Sequence, residues 1–414
     1  MAVDALAIKS TIGMSRDRGR VVVQSPMRIA ISSIGRFHMF DLTRQMVKLG
    51  QDVRLYTGYP KFKVDSDLKP ITKTRPYWVM AEYLRHHMRP APRTTWWADH
   101  ALEDFGPWLA RHLGEADILD ALAGTGWEAG RVMHNRGGRW ICNRGSTHIL
   151  TQKQLLEEEH TRWQLRPPFF DMGRPLERCL GEYAEADAIV VPSEFARLSF
   201  IDHGMSSERL YKCPYGVDLT LFSPRPVAKE NRRFRVVFVG GASLRKGIGY
   251  LLEAMQPLVK ERVVETWLIG DFASEARAIL NGHTGEFVHQ GVLPRAKLAE
   301  YLSRCDVMVL PSIEEGLALV LAQAMACGLS VIATPNTGAE DLFTDGVEGF
   351  IVPIRDPKAI REKVQWMLDN PMKRQEMGKA ALQRVQQLGG WDAYGDRCLA
   401  VYRQVLAQKG CIDD

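Results

Sequence analysis

The feature that most limits what this chain can fold into is one run, Glu314-Glu315-Gly316-Leu317-Ala318-Leu319-Val320-Leu321-Ala322-Gln323-Ala324-Met325-Ala326-Cys327-Gly328. An apolar tetrad, Val307-Met308-Val309-Leu310, precedes it and is closed by Pro311-Ser312. Such a run, bounded by turn formers, reads as a buried strand. An acidic, glycine-containing turn follows, then an apolar segment of helical length that Gly328 can stop. Leu329-Ser330-Val331-Ile332-Ala333-Thr334 supplies a second strand. The unit is strand, loop, helix, strand, with the acidic turn at the carboxyl end of its first strand. In open α/β sheets ligands bind at that end. The turn also opens a helix, whose free N–H groups favour an anion such as a diphosphate.

The same grammar occurs twice along the chain. Arg28-Ile29-Ala30-Ile31-Ser32 reads as a strand, followed by a loop with Gly35, a helix over residues 41–49 and a strand, Asp52-Val53-Arg54-Leu55-Tyr56-Thr57. That βαβ opening predicts a parallel, doubly wound sheet. Further strands are expected at 118–122, 139–142 and 188–191. The pattern restarts with Phe234-Arg235-Val236-Val237-Phe238-Val239, then Gly240-Gly241 and a helix through Tyr250-Leu251-Leu252-Glu253-Ala254-Met255. Strands at 266–269 and 287–288 extend it.

A chain of 414 residues exceeds one ordinary core, so two domains are expected. The reading is a disordered leader over 1–26, a first α/β domain over 27–213, a second over 214–390, and a terminal helix over 391–414 that returns to the first. Helices at 359–368 and 374–388 finish the second domain. A net charge of +5 suits an anionic ligand or membrane surface without demanding either. No apolar run approaches the ~20 residues that cross a bilayer. Residues 1–26 lack the apolar stretch of a signal peptide. The seven cysteines are scattered without a Cys-x-x-Cys pair, which predicts reduced thiols in the cytoplasm.

The turn and helix at 315–328 resemble the signature of retaining glycosyltransferase family 4, the glycosyl transferases of group 1. That family has a GT-B fold, two Rossmann-like doubly wound domains facing a central cleft. Its signature is a Glu-Gly-hydrophobic turn, a second Glu eight positions after the first, then Ala-Met-Ala-x-Gly-x-Pro-Val-Ile. Here Glu315 holds the first Glu position, Gln323 the second, and Ser330 replaces the Pro. The resemblance covers nearly the whole chain after residue 27 and is weak between about residues 60 and 135. It implies that Glu315 meets donor-sugar hydroxyls and that Gln323 meets the ribose. Gln keeps two hydrogen-bonding ends but loses the charge. Backbone at Gly316 and Leu317 would face the diphosphate.

Val239-Gly240-Gly241-Ala242-Ser243-Leu244-Arg245-Lys246-Gly247 is a glycine turn with two cations. Taken alone it is as readily an ordinary βα turn. In the family, an Arg after the first Gly and a later Lys bind the donor diphosphate. Lys246 matches the Lys, Gly241 stands where the Arg would be, and Arg245 can replace the missing charge. A first-domain histidine of the family contacts the donor sugar. His148, in Asn143-Arg144-Gly145-Ser146-Thr147-His148, is the match, with His38 and His134 as alternatives. His38 lies in the loop of Gly35, itself a donor-binding candidate, and could instead face the acceptor. The catalytic candidates are thus His148, Lys246 and Glu315. Asp341 and Glu340 are loop residues with no catalytic role assigned.

Asp65-Ser66-Asp67 has the Asp-x-Asp form of the metal sites in the other major glycosyltransferase fold. It sits in a polar loop away from any long apolar strand and reads as solvated. No metal or cofactor is expected. The segment 75–97 interleaves Tyr77, Trp78, Trp96 and Trp97 with Arg85, Arg89 and Arg93. Acceptor recognition is the favoured reading, peripheral contact with the inner face of the membrane the second. No nucleic-acid module accompanies it.

The expected activity is transfer of a sugar from a nucleotide-sugar to an acceptor hydroxyl of a glycan, glycolipid or small molecule, with retention and without metal. A non-catalytic sugar-nucleotide binder and a nucleotide-sugar epimerase of similar fold are the competing readings. An epimerase needs cleft carboxylates acting as acid and base.

Overall fold

The computed structural model describes residues 25–86, 95–166, 173–226 and 233–408. The first sheet contains β1 (Arg28–Ser33), β2 (Asp52–Thr57), β3 (Thr72–Thr74), β4 (Ile118–Leu122), β5 (Arg139–Asn143), β6 (Ala188–Val191) and β7 (Leu210–Lys212). The second contains β8 (Phe234–Val239), β9 (Val264–Ile269), β10 (Val288–Gly291), β11 (Val307–Leu310), β12 (Ser330–Ala333) and β13 (Gly349–Ile351). The strand orders are β3-β2-β1-β4-β5-β6-β7 and β10-β9-β8-β11-β12-β13. Every pairing is parallel. Strands β6, β11 and β12 are buried along their whole length, as helices on both faces require.

In each sheet the order reverses once, between β1 and β4 and between β8 and β11. The crevice beyond the carboxyl ends of those strands is the natural ligand position. This is the GT-B architecture of two Rossmann-like sheets.

The three-residue strands β3, β7 and β13 were not expected from the sequence. Each is an edge or near-edge strand too short for a period-two signal, and Thr72-Lys73-Thr74 is polar besides. The first helix, His38–Lys48, begins three residues before the expected start because Met39 and Phe40 are buried against the sheet. The leader expected over residues 1–26 lies largely outside the described residues.

The helix Gly390–Ala407 buries Tyr394, Cys398, Leu399, Tyr402 and Val405 in one core with Ile29, Ile31, Phe40 and Leu42 of the first domain. Arg397 Nη2 donates to the Pro214 carbonyl at 2.8 Å. The connection between the two sheets therefore passes directly beneath the start of this helix. At Gly216 an added β-carbon would lie 2.2 Å from the Gly390 carbonyl carbon and from the Trp391 nitrogen. Both are backbone atoms and neither can swing aside.

Gly216→Ala should thus lower stability by about 1–3 kcal/mol through overpacking. Urea or thermal unfolding checks this, and an unchanged midpoint would show that the crossing is looser than described.

Candidate active site

The turn after β11 is built around two adjacent buried glutamates that share Arg245, 3.6 Å from Glu314 Oε2, and otherwise have different partners. Glu315 faces the loop after β8. Its Oε2 lies 3.1 Å from Arg245 Nη1, its Oε1 pairs with Lys246 Nζ, and the Ser312 hydroxyl donates to Oε1 at 3.2 Å. Burial alone would raise the Glu315 pKa, but Lys246 and Arg245 together hold it below the usual carboxylate value. Arg245 also donates to the Glu314 carbonyl at 2.9 Å, and its carbonyl accepts from Ile313 N at 2.8 Å. The carboxyl ends of β8 and β11 are thereby cross-linked, with two cations at their crevice.

Glu314 faces the other way, into the first domain, and is fully buried. It accepts from Thr147 N at 3.1 Å, Thr147 Oγ1 at 2.8 Å and Gln152 Nε2 at 3.0 Å, and from the Ser146 hydroxyl. The sequence reading gave it no role, because neighbouring acids in a turn do not announce which way each side chain points. A β-carbon on Gly316 would stand 2.1 Å from the Gly145 carbonyl oxygen, so only glycine permits this approach of the two domains. Ser193 Oγ donates to the Gly316 carbonyl. Asp341 accepts from Glu194 N at 2.6 Å and pairs with Lys212 at 2.8 Å. Arg355 reaches from the second domain to Glu159 at 2.9 Å and Glu158 at 3.1 Å.

Leu317 is buried beneath the turn. The helix Leu319–Ala326 follows Ala318 without a side-chain cap, so its first N–H groups are not claimed by a capping side chain. Gln323 lies one turn beyond Leu319 on the same face and is buried. Gly241 is exposed, and a β-carbon there would meet nothing within 4 Å.

A cavity of about 540 Å³ opens between the sheets beside this turn. Arg36, Phe37, His38 and Asp41 line it from one side, Arg144, Gly145 and Ser146 from the loop after β5, and Arg295 and Leu319 from the second domain. Gly35 lies in the loop that carries the first of these, and its carbonyl accepts from Ser33 Oγ at 2.7 Å.

The histidine assignment needs correction. His148 does not line the cavity. It caps the helix Ile149–Arg162, its Nδ1 accepting from Leu150 N at 3.3 Å. The ring packs among Tyr183, Phe200 and His203, at centroid distances of 5.0, 4.9 and 4.3 Å. Burial, then the charges of His203 and Arg144, push its pKa down to about 3. The capping geometry turns the ring away from the cleft. His134 pairs with Asp187 at 2.9 Å, and His38 is the histidine on the cavity wall.

The Asp65-Ser66-Asp67 loop is ion-paired. Asp65 holds Arg36 at 2.8 Å and also Arg44, and Asp67 holds Arg44 at 2.7 Å. Among the described residues no group of three or more His, Cys, Asp or Glu could hold a metal ion. In the segment 75–97, Arg75 pairs with Asp104 at 2.8 Å and lies 4.7 Å from the Tyr77 ring, which is exposed. Residues 87–94 lie outside the described residues. Six cysteines are free and buried, and no described helix is long and apolar enough to cross a membrane.

Two predictions follow from this geometry. Glu314→Ala strands buried donors of the first domain and should cost roughly 1–3 kcal/mol, with Glu314→Gln losing less. A melting curve equal to wild type for Glu314→Ala would contradict the contact. For His148 the folded pKa of about 3 lies below the unfolded value near 6.5. The unfolded chain therefore binds the extra proton, and stability falls as pH drops through that window, by up to about 1.4 kcal/mol per pH unit. His148→Asn should lose this acid sensitivity and leave ligand binding unchanged. Equal pH dependence in variant and wild type would refute the neutral buried ring.

Residues 233–370 match the family described as glycosyl transferases group 1. D-inositol 3-phosphate glycosyltransferase of Thermobifida fusca is 29% identical over 268 residues, 58% of this chain and 60% of the relative. MMP alpha-(1->4)-mannosyltransferase of Mycolicibacterium hassiacum is 27% identical over 274 residues, 63% of this chain and 64% of the relative. The chain thus spans 60% and 64% of the length of these curated relatives. Sucrose-phosphate synthase from Thermosynechococcus elongatus superposes with a TM-score of 0.70 at 21% identity, covering 92% of this chain and 100% of that one. Anabaena HepE in complex with UDP and glucose gives 0.66 at 15% identity, covering 91% and 100%. The second domain thus matches the glycosyl transferases of group 1, and the two-sheet architecture is that of the GT-B fold.

Proposed function

We propose that this protein transfers a sugar from a nucleotide-sugar to an acceptor hydroxyl, with retention at the anomeric carbon and without a metal ion. The observation that carries the reading is the joining of Lys246, Arg245 and Glu315 at the crevice where the second sheet reverses its order. A diphosphate at that crevice would meet both cations and the first N–H groups of the helix Leu319–Ala326. Glu315, kept ionised by its cationic neighbours, would accept hydrogen bonds from sugar hydroxyls. Gln323, one turn along the helix, would take the ribose.

In the reaction the acceptor oxygen forms a bond to the anomeric carbon as the bond from that carbon to the diphosphate oxygen breaks. The nucleoside diphosphate leaves with the electron pair. The acceptor proton passes to the departing phosphate oxygen on the same face, which gives retention without a protein base. Lys246 and Arg245 would stabilise the charge that builds on the leaving group, the interaction that counts most when it strengthens in the transition state.

Relatives support the donor and suggest the acceptor. One solved neighbour is described with UDP and glucose, and the name D-inositol 3-phosphate glycosyltransferase contains a phosphorylated polyol. Arg36, Arg144 and Arg295 line the cavity with one carboxylate, Asp41, and Arg36 is already paired with Asp65 at 2.8 Å. Arg144 is held by neutral groups, the Thr147 carbonyl at 2.9 Å and Gln152 at 2.7 Å. This lining suits an acceptor that bears an anionic group. A cytoplasmic site, with segment 75–97 touching the acceptor or the membrane's inner face, completes the proposal.

The test is a panel of nucleotide-sugars and acceptors assayed in EDTA, with the product's anomeric configuration read by NMR. Wild type should form a retained glycoside. Lys246→Ala, folded by its melting curve, should lose about 10²–10³ in kcat. Nucleotide hydrolysis alone, an interconverted nucleotide-sugar, or activity that needs added manganese would each overturn the proposal.

A further inference from the structure

The cavity wall carries a histidine whose proton is set from the far side of the first domain. His38 Nε2 lies 2.9 Å from Asn143 Oδ1, at the end of β5. Asn143 Nδ2 is 3.4 Å from Asp120 Oδ2 on β4, and the Tyr402 hydroxyl of the terminal helix is 2.6 Å from that same oxygen. All four side chains are buried, Asp120 and Tyr402 completely. Their atoms settle one another's roles. An ionised carboxylate only accepts, so Tyr402 donates to it and Asn143 turns its amide nitrogen toward it. The Asn143 oxygen then faces His38 and must accept. His38 Nε2 therefore carries the proton, and the lone pair of the neutral ring falls on Nδ1.

Nδ1 is the nitrogen left for the cavity. A β-carbon on Gly145, a lining residue, would stand 3.8 Å from it and 3.4 Å from His38 Cε1. The arrangement is costly if it serves packing alone. Asp120 Oδ1 is buried with no hydrogen-bond partner among the described residues. A half-satisfied buried carboxylate destabilises relative to apolar residues of the same shape. The groups around the ring also favour neutrality. Tyr215 packs against it at a tilt, 4.4 Å between ring centroids, and Tyr394 meets it edge-on at 6.4 Å. Asp41 on its own helix is paired with Arg44 at 3.1 Å and is offset further by Arg295 and Arg36. Burial takes His38 down to about 4 and Asp120 up to about 6.

We propose that His38 is a hydroxyl-binding residue of the cleft, and that Tyr402, Asp120 and Asn143 are positioning residues that hold its Nδ1 as a hydrogen-bond acceptor for a sugar hydroxyl. The terminal helix thereby takes part in the site without touching the ligand. The ligand role rests on the sugar-transfer reading above. The tautomer does not, and this separates the two in the experiment.

The test is ¹⁵N NMR of histidine-labelled full-length protein, with His38→Ala assigning the signal. At pH 7 Nε2 should be protonated and Nδ1 bare. Tyr402→Phe removes the donor that keeps Asp120 ionised, and the Nδ1–H form should gain population. In the transfer assay, His38→Ala should lower kcat/KM by about tenfold, the worth of one hydrogen bond. Tyr402→Phe should lower it less, in proportion to the tautomer lost. An Nδ1–H or doubly protonated ring in wild type at pH 7 would overturn the relay. A correct tautomer with wild-type kcat/KM in His38→Ala would overturn the hydroxyl-binding role. A protein with the correct tautomer that transfers nothing would refute the sugar-transfer reading while supporting the relay.

Discussion

The Glu314 carboxylate is the contact on which the geometry of the cleft depends. A charge removed from water is tolerated only when donors surround it, and nearly all of Glu314's donors come from the opposite domain. Thr147 gives two, and Ser146 and Gln152 one each. The loop after β5 cannot drift without stranding that charge. Its position in turn sets Gly145 against Gly316, and with it one wall of the cavity. Arg355 with Glu158 and Glu159 holds the other end of the helix Ile149–Arg162 against the second domain. Two separate ionic contacts therefore fix one helix of the first domain on the second.

Beside Glu314 the same turn uses its second glutamate differently. Glu315 gathers Lys246 and Arg245 at the carboxyl ends of β8 and β11. Two cations held in place before a ligand arrives need little reorganisation when phosphate charge appears, and such preorganisation is the usual source of electrostatic catalysis. The arrangement also sets a condition on binding. In the proposed function a diphosphate would have to share or take over contacts that Glu315 now makes, which would free the carboxylate for sugar hydroxyls as the cations turn to phosphate.

The parts legible in the sequence were those whose signal is local. Strands β4, β6, β8 and β11 were read to the residue because each is a mostly apolar, mostly buried run bounded by turn formers. Edge strands β3, β7 and β13 carry three residues apiece, and tertiary pairing alone makes them strands. Within the site, the neighbouring Arg245-Lys246 pair and the Glu-Glu-Gly turn were visible as short motifs. Which acid faces which domain was not, since adjacent residues in a turn diverge according to the backbone. His148 misled for a related reason. Its position after a strand was read correctly as a loop, but it is a helix cap, and that turns the ring inward. His38, hidden in the first turn of a helix, reaches the cavity only because β1 and β4 open a crevice there.

The most direct measurement is a crystal structure of this protein with a bound nucleotide-sugar. The account predicts the diphosphate within hydrogen-bonding reach of Lys246 Nζ, Arg245 and the backbone nitrogens at Gly316 and Leu317, with the sugar hydroxyls on Glu315. A diphosphate seated elsewhere, or bridged to the protein through a divalent ion at Asp65 and Asp67, would contradict it.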